Sequence, residues 1–142
     1  IRRLLVTVAH PDDETFGCGS LLAHASSRGI ATVVACATRG ELGEIAPGVE
    51  AEPATLGAVR EVELLARIAA AADPEDVAAS LVPLIDELRP DVVVTLDGSD
   101  GHRDHAAIRD GTLAALRRAT WRPARTYLWC LPRSLLKVAG AD

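Results

Sequence analysis

The sequence predicts an α/β domain, a mostly parallel sheet with helices on both faces. Three observations carry this. Short, nearly continuous apolar runs rich in β-branched residues occur at residues 4–9 (LLVTVA), 31–37 (ATVVACA) and 90–96 (PDVVVTL), as strands buried on both faces require. Stretches with apolar residues at helical spacing lie between them. Histidine-rich and acid-rich clusters, HPDDE and DGSDGHRDH, follow directly on the first and third runs.

Each element has its own signal. Leu21, Leu22 and Ala25 follow Gly17-Cys18-Gly19-Ser20, and Gly29 stands just past Arg28, which predicts a helix over residues 19–28. The second run leads into a Gly-punctuated loop, TRGELGEIAPGVEAEP. Val59, Val62, Leu65 and Ala69 predict a helix from Thr55 to Ala72. Another starts at once, with Asp73 as N-cap, Pro74 at the first helical position, and Leu81, Leu84, Ile85 and Leu88 on one face. The spacing after DGSDGHRDH predicts a helix over residues 104–118, and ARTYLWCL from Ala124 predicts a fourth strand. This alternation implies right-handed crossovers and a Rossmann-like sheet whose ligands bind beyond the carboxyl ends of the strands. Both polar clusters fall there.

Length and composition narrow the function. A chain of 142 residues, 49% apolar and 25% charged, fits one globular domain over residues 1–142. Its net charge of −5, with no basic cluster denser than Arg117-Arg118, argues against nucleic-acid and anionic-membrane partners and favours a small molecule. Three cysteines without a C-x-x-C pair predict reduced thiols and a cytoplasmic location. IRRLLVTVA resembles the start of a signal peptide, but its apolar stretch ends at His10. It falls short of the usual h-region of about 7–15 residues, and no membrane span is expected.

The two clusters together suggest a metal. His10 and His105 sit in the two loops with Asp12, Asp13, Asp104 and His102 alongside, which supplies two histidines and a carboxylate for a divalent ion and leaves acids and a histidine over. An ion held by three protein ligands lowers the pKa of a bound water to about 7 and polarises a carbonyl. A spare carboxylate then suits a general base, and a histidinium suits oxyanion stabilisation and protonation of a leaving amine. His-Pro-Asp-Asp alone reads equally well as a turn and a helix cap. Two such clusters on one rim are harder to assign to chance. His24, inside a helix among alanines, reads as an exposed helix residue.

AHPDDE after the first strand, TRGELGE after the second, VREVE opening a helix, and RPDVVVT followed by GHRDH together resemble the LmbE-like or PIG-L superfamily of zinc-dependent N-acetylglucosaminyl deacetylases. The resemblance spans most of the chain and extends to the mycothiol-pathway deacetylase and amidase branch. It implies one Zn²⁺ per chain, replaceable by another divalent metal, held by His10, Asp13 and His105. It further implies Asp12 as general base, His102 at the oxyanion and leaving amine, Asp104 orienting His102, and Glu44 and Arg60 on the sugar. The implied activity is hydrolysis of an N-acetyl amide on an amino-sugar substrate.

Departures from the family pattern set further expectations. Relatives place a strand and a substrate-contacting loop between the VREVE helix and the helix before RPDVVVT, whereas here Ala72 runs directly into Asp73. An internal segment near 72–73 and a C-terminal extension are therefore expected to be missing, and residues 45–52 are a candidate for a similar join. Arg103 replaces a common proline, and Asp100 stands where mycothiol relatives have a mobile tyrosine. Two rival functions remain. One is a Rossmann-like nucleotide binder, from Gly17-x-Gly19, although Leu22 occupies the third glycine position. The other is a catalytically idle sugar-binding relative.

Overall fold

A computed structural model describes residues 1–38, 66–67 and 73–130. Strands β1 (Arg3–Val8), β2 (Ala31–Cys36), β3 (Ala66–Arg67), β4 (Val92–Leu96) and β5 (Arg125–Trp129) form one sheet in the order β3-β2-β1-β4-β5. Every pairing is parallel. The chain winds outward from β1 through β2 to β3, then returns to place β4 on the other side of β1. The winding direction therefore reverses between β1 and β4.

Period-two alternation assigns the faces. Leu4, Val6 and Val8 pack with Cys18 and Ala25 of α1 (Asp13–Ser27). Leu5, Ala9 and Val93 pack on the opposite face with Val77, Leu81 and Ile85 of α2 (Pro74–Leu88) and Ile108 and Ala115 of α3 (Arg103–Arg118). Leu4–Val8 and all of β4 are buried, as the continuous apolar runs predict. Each such Leu, Val or Ile contributes about 1.5–3 kcal/mol relative to exposure. Thr7, Thr95 and Thr112 are the buried polar side chains among the described residues, and their hydroxyls satisfy one another: Thr7 Oγ1 to Thr112 Oγ1 spans 3.0 Å and Thr95 Oγ1 to Thr112 Oγ1 3.4 Å. This trio ties α3 to both central strands.

Helix α2 starts as expected, with the Asp73 side chain accepting from the Glu75 N–H at 2.8 Å and Pro74 at the first helical position. Two expectations are corrected. The first helix begins at Asp13 rather than residue 19, because Asp13 and Glu14 place negative charge on its unpaired first-turn N–H groups. Gly17 and Gly19 therefore lie inside the helix, where Gly17 makes room for a neighbour: an added Cβ would sit 2.1 Å from the Trp129 ring. The second correction concerns the helix expected from Thr55 to Ala72. Residues 66–67 instead form a short ladder beside β2, with Ala35 opposite Ala66 and Cys36 opposite Arg67. This pairs backbone groups that a bare edge would leave exposed. Short Ala- and Leu-rich runs do not distinguish helix from strand by periodicity. The rest of that stretch lies outside the described residues.

Cys18 and Cys36 are buried free thiols, and burial pushes them up to about 11 and about 12; Cys130 is free and exposed. Iodoacetamide at neutral pH is therefore expected to modify Cys130 in the folded protein and spare the other two, which peptide mapping would check. Gly17→Ala is expected to cost about 1–3 kcal/mol through the clash with Trp129. Gly19→Ala, whose methyl meets nothing within 4 Å, is expected to gain up to about 1 kcal/mol in helix stability. Urea midpoints moving in opposite directions would establish the contrast.

Candidate metal centre

Both polar clusters meet above the β1/β4 boundary. His10 lies just beyond β1, and the chain must turn there from strand into α1. Asp12 absorbs the turn, with φ 118° and ψ −30°, a conformation that disfavours a side chain and costs about 1–3 kcal/mol. Its carbonyl accepts from the Thr15 and Phe16 N–H groups at 2.8 and 3.1 Å, opening the helix, and its own N–H donates to Glu14 Oε2 at 3.0 Å. Glu14 thereby holds this backbone. The adjacent acids consequently diverge. Asp13 turns toward the histidines and Asp12 is exposed.

Asp13 is the hub. Its Oδ2 accepts from the His10 backbone N–H at 2.8 Å and lies 3.6 Å from both His10 Nδ1 and His105 Nε2. Each histidine has a second carboxylate on its other ring nitrogen: Asp104 Oδ2 at 3.0 Å from His10 Nε2, and Asp100 Oδ2 at 2.5 Å from His105 Nδ1. Asp100 Oδ1 also accepts the His102 backbone N–H at 2.9 Å. His102 caps α3, its Nδ1 accepting the Asp104 N–H at 3.2 Å. Its ring stacks on His105 with centroids 4.5 Å apart and meets His10 edge-on at 5.0 Å. Gly98 and Gly101 give the loop its course with φ of 73° and 93°, and a Cβ on Gly98 would meet the Ala106 backbone at 2.7 Å.

The electrostatics follow from these contacts. The Asp13 hydrogen bond is the main influence raising the proton affinity of His10; burial opposes it and Asp104 adds to it. Burial lowers that of His105, but Asp13 and Asp100 outweigh it and the net shift is upward. Burial alone would raise Asp13, yet hydrogen bonds from His10 and His105 hold it well below the usual carboxylate range. Asp100 is likewise lowered: burial is outweighed by the His102 N–H and the His105 ring.

The donor set fits a metal ion. Ligands sharing a tetrahedral ion at about 2.0–2.1 Å lie about 3.3 Å apart, close to the separations between Asp13 Oδ2 and the two ring nitrogens. Carboxylates behind ligating imidazoles are the usual outer support of such sites. His10, His102 and His105 also present ring nitrogens all within 4.8 Å of one another. His102 is exposed and spends Nδ1 on the helix cap, whereas Asp13 lies between His10 and His105.

The sequence-predicted residues His10, Asp12, Asp13, His102, Asp104 and His105 all come to this rim. Asp104 does so with a different partner: its carboxylate meets His10, and its link to His102 runs through its backbone N–H. The reason is geometric, since His102 immediately precedes α3 and its ring turns onto the helix's first N–H groups. Glu44 and Arg60 lie outside the described residues. The contact of Asp100 with His105 was missed, because a pairing five residues apart across a loop and a helix start has no periodic signal. The nucleotide-binding alternative loses its basis, since Gly17 faces Trp129.

A parallel sheet with histidines and carboxylates gathered where its winding reverses describes a metal-site α/β protein. The family follows: residues 5–73 and 68–116 match the PIG-L family model, described as GlcNAc-PI de-N-acetylase, and the chain belongs to this LmbE-like family. Among individual relatives, a 1D-myo-inositol 2-acetamido-2-deoxy-alpha-D-glucopyranoside deacetylase of Kineococcus radiotolerans is 32% identical over 183 aligned positions, covering 96% of this chain and 51% of that protein. The chain thus spans about half the length of that relative. Among solved structures, the conserved protein TT1542 of Thermus thermophilus is 30% identical with a TM-score of 0.69, over 91% of this chain and 66% of that one. The hydratase GalB of Pseudomonas putida shares the fold at 23% identity and a TM-score of 0.63, over 80% of this chain and 55% of that one. The fold alone therefore does not decide the chemistry.

Relief of the Asp12 backbone is testable. Asp12→Gly is expected to stabilise the protein by about 1 kcal/mol, because glycine occupies positive φ without strain. Asp12→Ala keeps the strain and is expected to show no such gain. Thermal unfolding of the two variants side by side would check this.

Proposed function

We propose that this chain carries a metal-dependent N-deacetylase site that hydrolyses the N-acetyl amide of an amino-sugar substrate. The observation that carries the reading is Asp13 Oδ2 at 3.6 Å from a ring nitrogen of both His10 and His105, each ring backed by a second carboxylate. His10, Asp13 and His105 would hold one Zn²⁺, and another divalent ion could take its place. When bound, the ion supplies Lewis acidity toward a carbonyl oxygen and makes water acidic enough to attack near neutral pH.

The remaining work falls to protein side chains. Asp12, exposed beside Asp13, takes a proton from the attacking water as its oxygen bonds to the amide carbon. His102, with Nδ1 accepting from the helix, carries its ring proton on Nε2 and donates it in a hydrogen bond to the developing oxyanion. The proton that Asp12 takes from the water is returned to the departing nitrogen, the atom at which family resemblance also places His102. The C–N bond then breaks to leave acetate and a free amine. Glu44 and Arg60 are assigned to the sugar on family resemblance.

Supporting the substrate class, the family model and the Kineococcus relative are both described as acting on acetylated glucosamine conjugates. The join near 72–73 is read as lacking residues that relatives possess. The alignment of 183 positions to a chain of 142, and the family match in two overlapping pieces, support this. No helix among the described residues is long and apolar enough to cross a membrane. Free thiols at Cys18, Cys36 and Cys130 favour the cytoplasm.

The test is acetate release from N-acetylglucosamine conjugates by the zinc-loaded protein, with and without a chelator. Chelation is expected to abolish turnover and added zinc to restore it. Asp12→Asn is expected to lower kcat by about 10²–10⁴-fold while metal content stays unchanged. A zinc-loaded, folded protein that binds these sugars without releasing acetate would instead identify the idle relative.

A further inference from the structure

We propose that Asp100 is a positioning residue of this centre, holding the His105 ring by Nδ1 so that Nε2 is presented to the ion. The proposal rests on the reading of His10, Asp13 and His105 as ligands and adds to it a residue outside that set.

Three features converge on Asp100. Both its oxygens are used, Oδ2 on His105 Nδ1 at 2.5 Å and Oδ1 on the His102 backbone N–H at 2.9 Å, so its carboxylate plane is determined by two partners at the start of the following helix. The contact is sheltered: the Asp100 and His105 side chains retain 17% and 14% exposure. The loop that delivers it is narrowly constrained, with Gly98 and Gly101 at positive φ on either side and Gly98 against the Ala106 backbone. A residue in such a setting has little freedom to turn away.

The chemical consequence lies in the imidazole tautomer. A neutral ring carries one proton, and donation from Nδ1 to Asp100 leaves the lone pair on Nε2, the nitrogen that faces Asp13. Removing Asp100 would free the ring to rotate and to place its proton on either nitrogen. His10 has its own carboxylate in Asp104, so the loss would be specific to the His105 side. Through the His102 N–H, the same carboxylate also joins the position of the capping histidine to that of the ligand.

The experiment compares metal affinity in the unaltered chain, Asp100→Ala, Asp100→Asn and His105→Ala at one pH. Zinc competition against a chromophoric chelator reports affinity, and the visible absorption of bound Co²⁺ reports ligand geometry. Asp100→Ala is expected to weaken binding about 10–100-fold and to alter the cobalt bands. Asp100→Asn, whose amide oxygen still accepts from Nδ1–H, is expected to recover part of that loss. Affinity and bands in Asp100→Ala indistinguishable from the unaltered chain would overturn the proposal, as would an asparagine that recovers nothing. Should the alanine variant not fold, Asp100→Asn decides: weaker binding with altered bands supports the role, and unaltered binding and bands overturn it. His105→Ala tests the underlying assignment separately. If it binds metal undiminished, the ligand reading itself fails, whatever Asp100 does.

Discussion

The parallel pairing of β1 with β4 is the constraint on which the rest of the molecule depends. Leu4, Leu5, Val6 and Thr7 stand opposite Val92, Val93, Val94 and Thr95, so both strands end on the same level of the sheet. Whatever follows β1 must then face whatever follows β4. Their side chains are buried on both faces, and Thr112 bonds to a hydroxyl on each strand, which sets α3 against the pair. His10 and Asp104, 94 residues apart in the chain, meet at 3.0 Å as a result. No single turn or helix could bring them together.

Within that frame, the local backbone decides which acid does what. The turn between strand and helix leaves little room, and Asp12 takes a positive φ that a glycine would occupy more easily. In exchange, two neighbouring carboxylates separate, Asp13 beside the imidazoles and Asp12 at an exposed position. Strain retained where an unstrained residue would serve the fold is a recurrent mark of functional positions. Helix α1 starting at Asp13 belongs to the same arrangement, since the helix itself orients the hub carboxylate.

The centre is also electrostatically self-consistent. Asp13, Asp100 and Asp104 surround His10 and His105, and without an ion the rings gain affinity for protons. An ion would take over that compensating role, and binding it would release ring protons. The carboxylates on the outer ring nitrogens serve in either condition, because they accept hydrogen bonds and fix which nitrogen faces inward.

The sequence by itself determined the elements and the cast of residues. Continuous β-branched runs marked β1, β2 and β4 as strands, of which β1 and β4 are doubly buried while β2 is only half-buried before Ala35; Asp73-Pro74 marked the start of α2, and HPDDE with GHRDH marked the donors. These signals are local, residing in the spacing and chemistry of neighbours. The sequence could not show that α1 begins before its glycines, because Gly17 is explained by the Trp129 ring, which comes from the far end of the described chain. Nor could it show that residues 66–67 join the edge of the sheet, where an Ala- and Leu-rich stretch suits helix and strand alike. The partners within the site were likewise decided by tertiary structure: Asp104 on His10, Asp100 on His105, and Asp13 between the two rings. Hydrogen bonds between loops depend on where separate strands end, and that is set by sheet order and register.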